Sequence, residues 1–344
     1  LVYDLGGGTF DVTVVRLSPN RFETLGIEGD FQLGGKDWDD RLVDFVAGRF
    51  AEKHGTDPRS NPQSLMGLRA GAERAKKTLS KLQQTSITCT HEGKVLTLPI
   101  TRSDFESLSR DLLIRTRLTV QQVLRKAGLS WDKIDQVLLV GGSTHMPMTW
   151  QMLADLSGKK PDNSLAVSEV VARGAALHAG IVASHTEGME SLLNPEAHDL
   201  LQQVVEVNVN AHSLGIEVKN QADQRVNNIL IHKNTQLPYS SSRVYYTKAE
   251  NQVRVRVKVL QGDAPEAEHC IPIGECWIEG LPPNLPRGSP IQVRYGVASN
   301  GLIDVLALDM TSGRMARSEI HRSSGLSDEE IAREAEFVKS LKIQ

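Results

Sequence analysis

A glycine-rich stretch flanked by carboxylates lies near the start of the 344-residue sequence, where "DLGGGTFD" occupies residues 4–11. Its consecutive glycines leave bare backbone amides that a bulky anion can approach closely, as in phosphate-binding nests. Thr9 adds a hydroxyl donor. Asp4 and Asp11 place carboxylates beside this proposed polyanion, an arrangement that needs a bridging cation such as Mg²⁺. The β-prone residues on either side of the glycines predict a β-hairpin. A plain hairpin that binds nothing is the alternative interpretation, and the motif alone leaves both equally open.

Two further segments add candidate contacts. The segment "AERAKKTLS" contains four polar residues with the spacing i, i+3, i+4, i+7, which places Glu73, Lys76, Lys77 and Ser80 on one helix face. Such a face could hydrogen-bond to a ribose and stack on a base. An exposed ion-pair face is the favoured explanation for this row taken alone. "GGSTHMP" at 141–147 follows the predicted strand "IDQVLLV", and a helix N-terminus after such a turn favours phosphate. Glycine is also common in such turns for packing alone.

The elements that must position these residues change in character along the chain. Strands alternate with amphipathic helices such as "RSDFESLSRDLLIRTRLTVQQVLRKAG" over residues 1–185, which predicts an α/β domain. Residues 186–207 contain an Asn194-Pro195 turn signal and predict a linker. Short alternating runs such as "VRVRVKVL" predict a β-sandwich over 208–322. The last residues, "LSDEEIAREAEFVKSLKIQ", have a helical pattern with Ser327 as the N-cap.

Composition excludes several classes of protein. The balance of 39 basic and 42 acidic residues gives no strong field for nucleic acid or an anionic membrane. No apolar run approaches the roughly 18 residues of a membrane span. The 3 cysteines have no metal-ligand spacing and indicate reduced thiols in a cytoplasmic protein. Because the chain begins at Leu1 within a predicted strand and stops within a predicted helix, we expect it to be a fragment of a longer protein.

In this order, the motifs resemble the seventy-kilodalton heat-shock chaperone family of the DnaK type. "DLGGGTFDV", "GDFQLGGKDWDDRL", "ERAKKTLS" and "VGGSTHMPM" are similar to its nucleotide-binding segments, and "SLGIE", "VLQGD" and "GLPPNLPRGSP" to its peptide-binding domain. The resemblance covers essentially the whole chain. It implies the second half of an actin-like α/β ATPase domain, then an all-β peptide-binding sandwich, and the start of a helical lid at 323–344.

The resemblance also implies a role for each matching residue, with ATP or ADP and Mg²⁺ as ligands. Asp4 would orient the metal shell and the attacking water, and Asp11 would support that shell. The remaining nucleotide contacts would come from Gly6, Gly7, Gly8 and Thr9 at the phosphates, Gly34 and Gly35 in the cleft, Glu73, Lys76, Lys77 and Ser80 at the adenosine, and Gly141, Gly142, Ser143 and His145 at the α-phosphate, ribose and base. A pocket for extended apolar peptides would be lined by Tyr245, Val255, Val257 and Ile291.

The function that this resemblance implies is that of an ATP-dependent chaperone for unfolded polypeptides, with a J-domain co-chaperone and a nucleotide-exchange factor as partners. The family's first lobe, with another phosphate loop and a lysine that assists hydrolysis, would precede Leu1. We therefore expect the longer protein to be an ATPase and this chain alone to be inactive, since phosphoryl transfer depends on complete positioning.

The chain also departs from the family pattern. His145 and Lys77 stand where arginine is usual or frequent, Ser168 replaces a usual aspartate, and the linker "LLQQVVEVNVNA" contains Glu206 in place of a leucine-rich segment. These differences keep open a divergent peptide-binding module with weak or no ATP hydrolysis. An actin-like sugar or acid kinase is a further alternative, which the predicted β-domain disfavours.

Overall fold

The computed structural model describes residues 1–162, 169–189, 193–220, 222–279, 281–298, 302–311, 313 and 315–319. Contacts divide the chain into two units, Leu1–Glu206 and Val207–Gln344. The predicted lid at 323–344 and the departure at Ser168 both lie outside the described residues. Within the described part of the chain, no helix is both long and apolar enough to cross a lipid bilayer.

A mixed sheet forms the centre of the first unit. The strands are β1 (Val2–Leu5), β2 (Phe10–Ser18), β3 (Arg21–Asp30), β4 (Gln84–His91), β5 (Lys94–Thr101), β6 (Leu138–Val140) and β7 (Val205–Val207). Five of them form one sheet in the order β6-β1-β2-β3-β7, and β4 and β5 form a separate hairpin. β1 is parallel to β6, and β2 is antiparallel to both β1 and β3. The chain segments that follow β1, β3 and β6 therefore leave the sheet at the same edge.

Helices surround this sheet in the described part of the first unit. They are α1 (Gly35–His54), α2 (Pro62–Leu79), α3 (Arg102–Leu108), α4 (Arg110–Lys126), α5 (Pro147–Ser157), α6 (Val170–Ser184) and α7 (Pro195–Gln202). α2 begins after Asn61, whose side-chain oxygen accepts from two helical N–H groups, and Pro62 fills the first position. α1 ends at Gly55, which has a left-handed φ of 75°.

Two sequence predictions differ from the observed elements. The single helix predicted over 102–128 is interrupted at Ser109, whose φ of −115° and ψ of 12° depart from helical values although its amide still donates to the Phe105 carbonyl at 3.1 Å. Within the predicted linker at 186–207, the structure has α7 and β7. Asn194 caps α7 and Pro195 is its first residue, so the Asn-Pro pair starts a helix here rather than marking a turn.

The core of the first unit explains which way the β1 side chains face. Tyr3 and Leu5 are fully buried, and the ring of Tyr3 lies 4.7 Å from that of Phe10. Trp38 and Phe50 of α1 are also fully buried. Each of these side chains contributes about 1.5–3 kcal/mol through burial. Because side chains alternate along a strand, this burial turns Asp4 to the opposite face of β1.

The second unit is built from antiparallel strands. They are β8 (Leu214–Lys219), β9 (Arg225–Ile231), β10 (Tyr239–Tyr246), β11 (Arg254–Gln261), β12 (Ile271–Glu279), β13 (Pro290–Val297), β14 (Ile303–Asp309) and β15 (Met315–Glu319). They form two four-stranded sheets, β10-β13-β14-β15 and β12-β11-β8-β9. One core includes Ile216 and Val257 from one sheet and Ile291 and Tyr295 from the other. The alternation of "VRVRVKVL" places Val257 and Val259 in that core, whereas Val253 precedes β11 and is 49% exposed.

Candidate functional site

The glycine loop connects β1 to β2 at the sheet edge shared by the ends of β1, β3 and β6. Asp4 pairs with Asp11 and Leu5 with Phe10 in the antiparallel ladder, so the predicted hairpin is confirmed. The amide of Gly6 donates to the carbonyl of Thr9 at 3.0 Å and closes the turn. The next two residues, Gly7 and Gly8, are exposed, and a Cβ on either would meet no atom within 4 Å.

The N-terminus of α1 packs directly on this loop. The amide of Gly35 donates to the Gly6 carbonyl and that of Lys36 to the Gly7 carbonyl, both at 2.9 Å. A Cβ on Gly34 would lie 2.4 Å from the amide nitrogen of Gly8, and real Cβ atoms essentially never approach so closely. Gly34 has an extended backbone that any residue adopts, so glycine is required there by lack of space and not by conformation.

The turn after β6 approaches the loop from its other side. Gly141 has a left-handed φ of 87°, and a Cβ there would lie 2.4 Å from the Leu5 carbonyl oxygen and 2.6 Å from Oδ1 of Asp4. The Ser143 hydroxyl donates to the Gly6 carbonyl at 2.9 Å. Three segments with glycine pairs or triplets, far apart in sequence, are therefore in contact around one backbone turn.

A largely buried ion pair joins α2 to this assembly. The ammonium of Lys76 donates to the Gly35 carbonyl and to Oδ2 of Asp39, each at 2.8 Å. Only 11% of the Lys76 side chain and 15% of the Asp39 side chain are exposed. Burial raises the pKa of Asp39, and the hydrogen bond from Lys76 opposes that rise. The second oxygen of Asp39, Oδ1, is buried and has no hydrogen-bond partner in the described part of the chain.

The other predicted residues of the α2 face behave differently from Lys76. Glu73 and Lys77 form an exposed i, i+4 ion pair of 2.7 Å, and their hydrogen bond lowers the pKa of Glu73 and raises that of Lys77. The hydroxyl of Ser80 donates to the Lys76 carbonyl at 3.1 Å. Lys76 therefore points inward to Asp39 and the Gly35 carbonyl, whereas the Glu73–Lys77 pair lies at the surface.

A cavity of about 930 Å³ lies against the same face of α2. It brings together predicted residues from three segments, and four further side chains complete the wall. Its lining consists of Gly7, Glu73, Lys76, Lys77, Thr78, Ser80, Lys81, Leu82, Gly142, Ser143, His145 and Met146. Gly6, Gly8, Gly34, Gly35 and Gly141 do not line it, and the contacts of Gly6, Gly34, Gly35 and Gly141 hold the loop in place.

The two predicted acids are paired in the ladder of the hairpin, and partial burial raises the pKa of Asp4. A Cβ on Gly29 of β3 would lie 2.5 Å from Oδ1 of Asp11, so the absence of a side chain at Gly29 leaves room for that carboxylate. Among the described residues there is no group of three His, Cys, Asp or Glu that could hold a metal ion. The donor set fits a cation that takes most of its ligands from water and phosphate oxygens, as Mg²⁺ does.

Sequence reasoning missed Asp39 and Gly29. Asp39 lies 37 residues from Lys76, so no local spacing indicates their pairing. Gly29 is an ordinary strand glycine in the sequence, and only its register opposite Asp11 gives it significance. A helix-start carboxylate next to the "LGGKD" segment was the available signal for Asp39, because that segment must approach the loop closely.

The second unit contains an apolar cleft of about 610 Å³. All four residues predicted for peptide binding, Tyr245, Val255, Val257 and Ile291, line it. Val257 and Ile291 are 3% and 2% exposed and belong to the core as well, whereas Tyr245 and Val255 are half-buried at its surface. The Tyr245 hydroxyl donates to Oδ1 of Asn228 at 2.9 Å, and burial raises its pKa to about 12. The prediction missed several lining residues, among them Ile216, Val218 and Val293.

Comparison with known proteins agrees with these features. The family model described as "Hsp70 protein" matches residues 1–342. The chain belongs to the Hsp70 family. It is 39% identical to the chaperone protein DnaK of Halobacterium salinarum over 338 residues, covering 96% of this chain and 51% of that relative. The corresponding DnaK of Trichormus variabilis is 40% identical over 340 residues, covering 97% of this chain and 46% of the relative.

A third Hsp70 relative, the chaperone protein DnaK of Thermotoga petrophila, is 38% identical over 352 residues, covering 100% of this chain and 56% of the relative. The chain thus spans about half the length of the curated relatives it matches. Membership of the Hsp70 family agrees with the mixed α/β content and the several β-sheets of the structure.

Gly34 provides a test of the contact between loop and helix in this Hsp70 chain. Gly34→Ala should lower the free energy of unfolding by about 1–3 kcal/mol, because the new methyl group overlaps the Gly8 backbone. Gly48→Ala in α1 is the matched control, since its Cβ would meet nothing within 4 Å and should stabilise the helix by about 0.5–1 kcal/mol. Urea denaturation measures both, and unchanged stability of Gly34→Ala would show that the two segments are not in contact.

The Lys76–Asp39 pair is testable by a double-mutant cycle in the same Hsp70 chain. Lys76→Met should cost about 3–5 kcal/mol, because it leaves a buried carboxylate without its cation. The double variant Lys76→Met/Asp39→Leu should recover most of that loss, and Asp39→Leu completes the cycle. Lys77→Met breaks an exposed pair and should change stability little. Equal denaturation midpoints for Lys76→Met and Lys77→Met would contradict a buried ion pair.

Proposed function

We propose that this chain carries the nucleotide-binding edge and the polypeptide-binding cleft of an ATP-dependent molecular chaperone. The observation that carries the proposal is the packing of three glycine segments and Lys76 around one loop beside a large cavity. The relatives, each named chaperone protein DnaK, support it. Because the chain spans about half of those relatives, the activity, clients and partners of the whole protein belong to the proposal.

ATP or ADP is the proposed ligand of the first unit. Gly7 and Gly8 are exposed and have open space where a side chain would be, which lets a phosphate reach the backbone. Gly34, Gly35 and Gly141 serve this arrangement indirectly, because they hold the loop by close packing. The cavity wall formed by α2 and by His145 is assigned to the adenosine, with Glu73, Lys77 and Ser80 as polar contacts.

Mg²⁺ is the proposed companion of the phosphates, where it would neutralise charge for phosphoryl transfer. Asp4 is assigned to hold and orient the water ligands of the metal, and Asp11 to support the same shell. Their direct pairing across the hairpin supports this assignment, since both carboxylates lie at the end of the glycine loop. Gly6 and Thr9 close the loop between them through a backbone hydrogen bond.

The second unit is proposed to bind extended, unfolded polypeptide segments. Its cleft offers apolar side chains from β11 and β13, with the Tyr245 ring as a half-buried wall. A pocket for one apolar side chain, combined with backbone bonding to an extended segment, is an established mode of peptide recognition. Coupling between nucleotide state and client release, a J-domain co-chaperone and a nucleotide-exchange factor are added to the proposal on family membership alone.

Asp4→Asn tests the nucleotide proposal. In the wild-type chain, ATP titrated by calorimetry should bind more tightly with Mg²⁺ than with a chelator. In Asp4→Asn this benefit should fall by about tenfold or more, because an amide holds metal-bound water less well than a carboxylate. Asp132→Asn, an exposed acid whose side chain is 66% exposed, is the control and should keep the full benefit. An equal Mg²⁺ effect in Asp4→Asn would remove Asp4 from this role.

The pH dependence of the free energy of unfolding provides a second test of the Asp4→Asn variant. Burial raises the pKa of Asp4 above its ordinary 3.8, so the folded state opposes ionisation of this carboxyl. The folded state is therefore more stable at low pH, where this carboxyl is protonated, and that extra stability is lost as the pH rises through the folded-state pKa of Asp4. Asp4→Asn should therefore be increasingly more stable than the wild type as the pH is raised toward neutrality.

Val255→Asp tests the polypeptide proposal. It replaces an apolar side chain of the cleft with a carboxylate that the apolar peptide residue cannot pack against, and the affinity for a labelled leucine-rich peptide should fall by at least about tenfold. Val253→Asp is the matched control, because Val253 is two residues away, 49% exposed and outside the cleft. Fluorescence anisotropy measures the affinity, and circular dichroism checks that both variants are folded. Equal affinities for two folded variants would show that Val255 serves the core only.

A further inference from the structure

The polypeptide cleft of the second unit has a basic wall. Five charged side chains line it, and four of them are basic, namely Lys219, Arg225, Lys248 and Arg256, against the single acid Glu217. The apolar floor and this charged wall come from neighbouring positions on the same strands. On β11, for example, Val255 and Val257 line the cleft together with Arg256.

The acids in and around the cleft are already engaged. The carboxylate of Glu217 forms ion pairs with Nζ of Lys258 at 3.0 Å and with Nη1 of Arg225 at 3.3 Å, so one negative charge neutralises part of two positive charges. Both oxygens of Asp223 accept from Lys219 at 2.7 Å, and this hydrogen bond holds the pKa of Asp223 below its ordinary value. These ion pairs leave an excess of positive charge at the surface of the cleft.

Arg256 and Lys248 are the remaining cations of the basic wall. Arg256 is paired with Glu275 and also stacks over the Trp277 ring. The ammonium of Lys248 has no ion-pair partner within 4 Å in the part of the chain that the structure describes. Its positive charge also contributes to the lowered pKa of Asp223, and Lys248 lines the same cleft as Lys219 and Arg225, which lie on either side of the turn after β8.

The backbone around Lys248 is held in place. The adjacent residue, Thr247, donates its amide to the Ser289 carbonyl and accepts from the Gly288 amide, both at 3.0 Å. The amide of Lys248 itself donates to Oε1 of Gln252 at 3.0 Å. The unpaired ammonium is therefore carried by an anchored turn at the margin of the cleft, not by a loose loop.

We propose that this cleft selects polypeptide segments in which acidic residues flank the apolar residue that enters the pocket, and that Lys248, with Lys219 beside it, is the specificity-determining residue. The inference rests on the proposed polypeptide-binding function and adds a substrate class to it. An aspartate or glutamate beside the apolar residue gives Lys248 the counter-ion that it lacks. A lysine or arginine there adds like charge to a wall that already has an excess of it.

Three labelled peptides that share one leucine-rich core and differ in their flanks test the inference on the full chain. Glutamate flanks should give roughly threefold to tenfold tighter binding than lysine flanks at low ionic strength, with serine flanks between them, as expected for a few exposed charge pairs. The difference should nearly disappear at about 1 M salt, where screening acts over about 3 Å. Fluorescence anisotropy measures each dissociation constant.

Variants of Lys248 assign the effect. Relative to the serine-flanked peptide bound by the same variant, Lys248→Gln should reduce the preference for glutamate flanks, and Lys248→Glu should abolish or reverse it. Arg294→Glu is the matched control, because Arg294 is exposed on β13 and does not line the cleft, and it should leave the preference unchanged. If all three peptides bind with equal affinity, or the lysine flanks bind best, the inference is wrong and the binding function stands. If none of the three binds, the proposed function fails and the inference with it.

Discussion

Backbone packed against backbone is the constraint on which the first unit depends. The backbone of Leu5, Gly7 and Gly8 lies so close to the segments after β3 and β6 that a side chain at Gly34 or Gly141 would overlap it. The parallel direction of β1 and β6 brings two of these segments to one edge, and β3 brings the third. Everything assigned to nucleotide binding, including the cavity and the inward position of Lys76, depends on this close approach.

The sequence was most informative where a residue type has a single physical use. Consecutive glycines predicted both the hairpin and the turn after β6, because such runs serve close backbone approach. Periodicity predicted that Lys76 and Ser80 share a helix face, but it could not tell which residues of that face are buried and which are exposed. Lys76 is turned inward by Asp39 and the Gly35 carbonyl, and both partners come from a distant part of the chain. The break at Ser109 was not predicted either, because serine is compatible with a helix and the residue type does not indicate the non-helical backbone found there.

In the second unit, alternation predicted the strands and the apolar face of β11. It did not predict where that face begins, because Val253 lies before the first ladder pair, at Arg254, or that the register shifts between Val259 and Leu260 and buries both. Local sequence patterns also did not predict the positive charge of the cleft. Lys219 and Arg225 flank the turn between β8 and β9, whereas Lys248 follows β10, and only the folded arrangement of the strands brings these cations to one wall.

The hydrogen bonds between α1 and the glycine loop couple the orientation of this helix to the position of the loop. Its first two N–H groups are bonded to the carbonyls of Gly6 and Gly7, so the loop cannot shift without either breaking both bonds or turning the helix. With 20 residues, α1 is about 30 Å long. Near its far end, Phe50 is fully buried and lies 6.0 Å from the ring of His91 on β4. A rotation of α1 about its contact with the loop would therefore be largest at this aromatic contact, at the other end of the helix.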